Sequence, residues 1–119
     1  MPFGYHGKIL RVNLSNGSIS VDEQDETWYR RYFGGAAMSA YYLMNELEPC
    51  IDPLVPDNKL IEAPGVVTGA PFSGSARNGV GAKSPMSGGI GKSEVGGFFN
   101  AELKHAGFDG LVIRGRAAQ

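Results

Sequence analysis

The segment PGVVTGAPFSGSARNGVGAKSPMSGGIGKSEVGGFF, residues 64–99, contains more than half of the chain's 18 glycines, together with a single arginine, Arg77. Glycine lacks a Cβ, so it permits positive φ and lets the backbone approach a ligand or another strand closely. It also weakens strands, so a segment this rich in glycine needs bare backbone at a surface. Two interpretations stay open: tight turns between short strands, or a cradle that binds a polyanionic cofactor through backbone N–H groups and Arg77.

The composition of the whole chain limits its class and its partners. The 119 residues correspond to about one domain, and 42% hydrophobic residues are enough for a packed core. The formal net charge of −1 argues against nucleic acid and anionic membrane surfaces as partners. No apolar run approaches the ~18 residues of a membrane span. The lone cysteine, Cys50, has no partner for an internal disulfide, which predicts a reducing, cytoplasmic setting.

The N-terminal part of the sequence predicts a β-hairpin followed by a helix. Apolar and polar side chains alternate on both sides of Asn16-Gly17, which is a strong hairpin signal. The two strands are predicted at residues 5–14 and 18–21. Asp25 then stands where its carboxylate can cap a helix, and Gly34-Gly35 ends that helix.

A second helix is predicted for residues 36–47, because Pro49 disfavours the helical conformation at the residue before it. Small and apolar residues recur at helical spacing and form its expected buried stripe: Ala37, Ala40, Tyr41 and Met44. The alanines would let this helix lie close against a sheet.

The second half predicts short strands and one late helix. The strands are expected at residues 59–63, 77–83, 87–92 and 109–114, with a short buried run at 66–68. The helix, at residues 98–105, is expected to bury Phe99, Leu103 and Ala106 and to end at Gly107. The fold class is therefore α+β, with a mixed or antiparallel sheet and two to three helices. An exposed edge at 109–114 is expected to pair with a second copy as a homodimer.

Few residues point to a reaction. The sequence lacks the ligand spacings of zinc and iron–sulfur sites, and no Walker loop, Rossmann fingerprint or G-x-S-x-G elbow is present. No catalytic residue is assigned. Arg77 lies beside Ser73, Ser75 and Asn78, and it is either a surface arginine or a clamp for a phosphate or another oxo-anion.

Three blocks carry a family resemblance: GKILRVNLSNGSISV (7–21), CIDPLVPDNKLIEAPGVVTGAPFSGSARNGVGAKSPMSG (50–88) and GGFFNAELKHAGFDGLVIRG (96–115). With these motifs the chain resembles the N-terminal domain of the tungsten-containing aldehyde:ferredoxin oxidoreductases over essentially its full length. The resemblance implies a β-sheet base across which a bis-molybdopterin tungsten (or molybdenum) cofactor lies. It also implies oxidation of an aldehyde to a carboxylic acid, with ferredoxin as the electron acceptor.

The resemblance also implies roles for particular residues. Arg77 would lie between the pterin and a 4Fe–4S cluster and hydrogen-bond both. Glu94, Val95, Gly96 and Gly97 would form the turn that contacts the pterin phosphates and their bridging magnesium through backbone groups. The family pattern has Asn where this chain has Glu94. A magnesium contact through the main-chain carbonyl would tolerate this change, whereas a contact through the side chain would place a carboxylate near the phosphates. The cluster cysteines are expected outside this chain.

We expect the chain to be a fragment that ends inside its N-terminal domain, with the later helical domains absent and no redox activity of its own. Two other functions stay open: a stand-alone structural or assembly subunit, and a nucleotide-binding module that only the glycine content favours. The sequence leaves the metal and the aldehyde undetermined.

Overall fold

A computed structural model describes residues 4–118 as one six-stranded mixed sheet with three helices. The elements, in chain order, are β1 (Lys8–Asn13), β2 (Ser18–Glu23), α1 (Glu26–Tyr32), α2 (Gly35–Glu46), β3 (Lys59–Pro64), β4 (Asn78–Lys83), β5 (Ile90–Val95), α3 (Phe99–His105) and β6 (Gly110–Arg114). The strand order is β2-β1-β6-β3-β4-β5, and only the β1–β6 pair is parallel. The predicted fold class is confirmed.

The N-terminal hairpin forms where the sequence predicts it. β1 and β2 pair antiparallel from Lys8↔Glu23 to Asn13↔Ser18, so residues 14–17 form a four-residue loop. Gly17 has a φ of +70°, while Asn16 stays at negative φ and its Oδ1 accepts a hydrogen bond from the Ser18 N–H at 2.9 Å. Asn16 therefore serves the turn through its side chain rather than through a left-handed backbone.

The helix α1 begins at the predicted cap. The Asp25 carboxylate accepts a hydrogen bond from the Trp28 N–H at 2.8 Å, a cap typically worth about 1 kcal/mol. Trp28 and Tyr29 are buried, and the Trp28 ring meets those of Tyr29 and Tyr41 at centroid distances of 5.0 and 5.2 Å. These aromatic side chains join α1 to α2 over one face of the sheet.

The buried face of α2 differs from the predicted stripe. Ala37 is exposed and Met44 is 77% exposed. The side chains that face β3 and β4 are instead Met38, Ser39, Tyr42 and Leu43. The small residues that permit close packing lie on the strand: a Cβ built on Gly81 would be 2.6 Å from the Ser39 Cβ. Because β4 supplies the space, larger side chains of α2 can face inward.

The strand β6 is central, so the predicted exposed edge at 109–114 is wrong. β6 is hydrogen-bonded to β1 on one side and to β3 on the other, and the edges of the sheet are β2 and β5. The dimer predicted from pairing at this edge therefore loses its structural basis.

The helix α3 also buries other residues than predicted. Phe99 is 59% exposed and Ala106 is exposed, whereas Asn100 and Lys104 are buried. Lys104 turns inward because its Nζ donates to Asp109 Oδ1 at 3.0 Å. The predicted cap at Gly107 is confirmed, with a φ of +93° and its N–H bonded to the Lys104 carbonyl at 2.9 Å.

The sheet face opposite α2 carries exposed apolar side chains. Cross-strand register places Ile19, Val21 and Leu60 on this face, and Ile19 is 68% exposed. Within residues 4–118, none of the helices combines the length and apolar composition that crossing a membrane requires.

Candidate functional site

The pairing of β4 with β5 brings the predicted site residues together. Asn78 pairs with Val95, and Gly79 pairs with Glu94. Arg77 directly precedes this pair, and Gly96 directly follows it, so both lie at the same end of the sheet. Glu94 and Val95 belong to β5, which runs from Ile90 to Val95 rather than over the predicted residues 87–92. Only Gly96 and Gly97 form the predicted turn that leads to α3.

The N-terminus of α2 lies at the same end of the sheet. A Cβ built on Gly79 would be 2.9 Å from the Gly35 Cα, so the first turn of α2 rests directly on β4. Gly34 offers no side-chain cap to this turn. The first N–H groups of a helix carry a partial positive charge and attract anions. The predicted site residues do not include this element, although Gly34-Gly35 before an alanine-rich helix is a signal for it.

The backbone of Arg77 is fixed by the loop before it. The Thr68 hydroxyl donates to the Arg77 carbonyl at 2.7 Å and accepts from the Gly65 N–H at 2.8 Å. Residues 66–68 therefore form a turn and not the predicted buried run: Thr68 is buried, but Val67 is 54% exposed. The Ser75 hydroxyl also serves this loop, bonding the Ala70 carbonyl at 2.6 Å.

Asn78, the neighbour of Arg77 in the chain, is directed away from the site. It is buried, and its side-chain amide donates to the Glu62 carboxylate on the opposite face of the sheet. The Arg77 side chain makes no hydrogen bond or ion pair with residues 4–118, so its guanidinium donors are free for a ligand.

Glu94 does not add an uncompensated negative charge to the site. Lys92 Nζ donates to Glu94 Oε1 at 2.6 Å, and both side chains are about half exposed. The hydrogen bond from Lys92 lowers the pKa of the Glu94 carboxyl below its ordinary value, and the charges of Lys92 and then Arg77 act in the same direction. Arg77 and Glu94 are therefore close enough for their charges to interact.

Apolar side chains flank these polar groups. Phe98 is 87% exposed, and its neighbours Val95 and Phe99 are also largely exposed. Nothing lies within 4 Å of a Cβ built on Gly96 or Gly97. We call the set formed by Arg77, Gly96, Gly97 and the first turn of α2 (residues 35–37) the Arg77 cradle. Its guanidinium, its uncapped N–H groups and its open glycines fit a phosphate-bearing cofactor with a flat ring system.

The six-stranded mixed sheet with three helices defines a domain of the α+β class with a glycine-rich, open end. Residues 9–119 match the sequence model of the family named aldehyde ferredoxin oxidoreductase, N-terminal domain. The chain belongs to the aldehyde ferredoxin oxidoreductase family. It is 44% identical over 115 residues to the tungsten-containing aldehyde ferredoxin oxidoreductase of Pyrococcus furiosus. The matched stretch covers 97% of this chain and 19% of that protein. The chain thus spans about a fifth of the length of the relatives it matches.

Two further relatives are named for other reactions. The aliphatic sulfonate oxidoreductase, WOR-like subunit, of Pyrococcus furiosus is 33% identical over 118 residues, covering 97% of this chain and 19% of that protein. A solved structure, the active site complex BamBC of benzoyl coenzyme A reductase with 1,5 dienoyl-CoA, matches with a TM-score of 0.93 and 34% identity. It covers all of this chain and 18% of that one.

Proposed function

We propose that this chain is the cofactor-binding base of a tungsten-dependent oxidoreductase that converts aldehydes to carboxylic acids. One observation carries the proposal: the fold gathers the free Arg77 guanidinium, the open Gly96-Gly97 backbone and the uncapped start of α2 at one end of the sheet. The family membership gives this cradle a cofactor class. When bound, the tungsten–pterin group would supply the two-electron redox chemistry.

The residues of the cradle have separate roles in this proposal. The planar guanidinium of Arg77 would donate paired hydrogen bonds to the anionic part of the pterin and towards a 4Fe–4S cluster held by cysteines outside this chain. Gly96 and Gly97 would let the pterin phosphates approach main-chain N–H groups. Val95 would contribute its backbone and the apolar edge of the site.

Glu94 fits a magnesium contact through its main-chain carbonyl better than through its carboxylate. The carboxylate is already held by Lys92, so it adds little repulsion towards phosphates. Because β5 is an edge strand, part of its carbonyls face away from β4 and stay open to a ligand. Magnesium prefers such oxygen ligands and keeps several of its waters.

The aldehyde as substrate rests on similarity alone. The sequence identity of this chain is 44% to the aldehyde enzyme of Pyrococcus furiosus and 33–34% to the relatives that are named for other reactions. Ferredoxin as acceptor and a cytoplasmic location extend the same proposal. The uncovered apolar face of the sheet, with Ile19 and Val21, would contact the rest of the enzyme, since relatives are about five times as long as the stretch they share with this chain.

The first experiment is elemental analysis of the full natural gene product, purified without oxygen. Tungsten or molybdenum with about four irons per chain is the expected result, and absence of all three metals would overturn the proposal. The Arg77→Gln variant sharpens the test. It should keep the wild-type melting temperature but lose most of its tungsten and pterin, whereas Arg30→Gln, which removes an exposed cation on α1, should retain both.

A further inference from the structure

A second polar cavity lies at the other end of α2, away from the Arg77 cradle. It has a volume of about 400 Å³ and is lined by residues that include Arg11, Asn13, Ser18, Glu46, Lys59 and Arg114. Glu46 is the last residue of the 12-residue helix α2, so this cavity is about 16 Å from the start of α2, at 1.5 Å per residue. The two sites are therefore separate.

Strand register builds the floor of the cavity from one row of polar residues. Ser18 pairs with Asn13, Asn13 with Arg114, and Arg114 with Lys59, so a single row crosses four strands on the face that α2 covers. Lys59 and Arg114 are directly opposite each other on β3 and β6. Like charges in this position destabilise a sheet unless something neutralises them.

Arg11 binds Glu46, the carboxylate that lines the cavity, and also the nearby Asp22. The Arg11 guanidinium donates to both carboxylate oxygens of Glu46, and its Nε donates to Asp22 at 2.6 Å. Lys59 reaches Glu46 only at 3.8 Å, beyond hydrogen-bond distance. Arg114 forms no ion pair with residues 4–118. Arg114 therefore faces the cavity without a carboxylate of its own, and Lys59 shares Glu46 with Arg11 in a longer ion pair.

Lys59 is the decisive residue because it is buried. Its side chain is 7% exposed, and its Nζ donates no hydrogen bond to any residue from 4 to 118. Because Lys59 lines the cavity, these donors are open to a partner there, either water or a bound group. Burial lowers the pKa of Lys59, Glu46 partly offsets the effect, and the charges of Arg114 and Arg11 lower it further. Three cations, Arg11, Lys59 and Arg114, line the cavity with one carboxylate, Glu46, so its lining carries a net positive charge.

We propose that this cavity binds a small phosphate monoester, with the phosphate on Lys59 and Arg114. A phosphate monoester carries nearly two negative charges at neutral pH and has three acceptor oxygens, which match two adjacent cations. The cavity has room for roughly a dozen waters, so it accommodates the organic part of the ester as well. Ser18 and the Asn13 amide, whose Oδ1 is taken by the Ser15 N–H at 3.0 Å, stand in the same row to bind its hydroxyl groups.

Isothermal titration calorimetry of the purified protein with glycerol 3-phosphate tests the site, with sodium chloride at matched ionic strength as the reference. Lys59→Met and Arg114→Gln should each weaken binding roughly tenfold or more, since each removes a charge-assisted hydrogen bond. Arg77→Gln and Lys92→Met should bind as the wild type does. Because Arg114 is exposed, its variant keeps the test valid if Lys59→Met does not fold.

Several results would overturn the proposal. Binding that is lost in Arg77→Gln and kept in Arg114→Gln would place the phosphate in the Arg77 cradle instead. Succinate that binds as tightly as glycerol 3-phosphate would overturn the assignment to a phosphate. A wild-type protein that binds the ester no better than it responds to chloride would exclude the site.

Discussion

Two pairs of glycines in the same glycine-rich segment have opposite surroundings. Gly79 and Gly81 lie under α2, and Cβ atoms built on them would be 2.9 Å from the Gly35 Cα and 2.6 Å from the Ser39 Cβ. Gly96 and Gly97 face open space, with nothing within 4 Å of such an atom. The first pair makes room for α2 from within strand β4 and forms no tight turn, and the second pair leaves open space at the proposed cofactor site.

The sharpest test of this contrast is Gly79→Ala. Its methyl group would press on the backbone of α2, which cannot move aside as a flexible side chain would, so we expect a loss of about 3 kcal/mol in the free energy of unfolding. Gly96→Ala is the matched control, with an expected change of less than about 0.5 kcal/mol. Urea denaturation measures both, and equal losses would show that the two pairs do not differ.

Gly81→Ala should show a smaller loss that a second substitution relieves. The nearest atom to the new methyl group is the Ser39 Cβ, so Ser39→Gly removes the clash at a cost of up to about 1 kcal/mol for glycine in a helix. We expect the loss in the free energy of unfolding of the double variant to be smaller than the sum of the two single losses by about 1 kcal/mol or more. Additive losses in a double-mutant cycle would contradict direct contact between α2 and β4.

Gly97→Ala tests the effect of backbone strain at a position where a side chain would meet no steric clash. Gly97 has a φ of +115°, where other residues are strained, although no atom lies in the way of a side chain. The expected loss is about 1 kcal/mol, against almost none for Gly96→Ala, whose φ is not positive. Thermal unfolding of the two variants side by side decides the point, and identical melting temperatures would argue that the turn relaxes.

The smallest expected effect concerns charge at the open pair. The pKa of Glu94 is lowered in the folded chain, so its contribution to stability is present above the ordinary carboxyl pKa and is lost as the pH falls through the lowered value. Lys92→Met should raise the pKa of Glu94 towards its ordinary value, because the main cause of the shift is removed. Carboxyl NMR titration measures this, and an unchanged pKa would mean that Arg77 dominates.

Local signals in the sequence predicted local structure well. The hairpin around Gly17, the cap at Asp25 and the helix end at Gly107 each depend on residues within a few positions, and all three are confirmed. Arg77 and Gly96-Gly97 could also be placed in one region, because the segment that contains them is short and two of its strands are neighbours.

Features set by distant packing could not be read in this way. The buried side of α2 depends on glycines of β4 that follow it by some forty residues, and the central place of β6 depends on the order of all six strands. Lys104 of α3 is buried because its Nζ donates a hydrogen bond to Asp109, and the apolar Phe99 of the same helix is therefore left exposed. The α2 N-terminus joins the cradle for the same reason, since tertiary packing alone brings Gly35 to Gly79.

The central position of β6 has a consequence for how the chain acquires its fold. Without β6, the hairpin β1–β2 and the meander β3–β4–β5 share no backbone hydrogen bonds. A chain that lacked β6 would therefore hold two separate pieces of sheet, with the inner edges at β1 and β3 open to mispairing. β6 closes both edges, and Asp109 secures its start, since its carboxylate accepts the N–H groups of residues 6 and 7. Because β6 follows β1 by about a hundred residues, this closure is a long-range contact of the kind that slows folding.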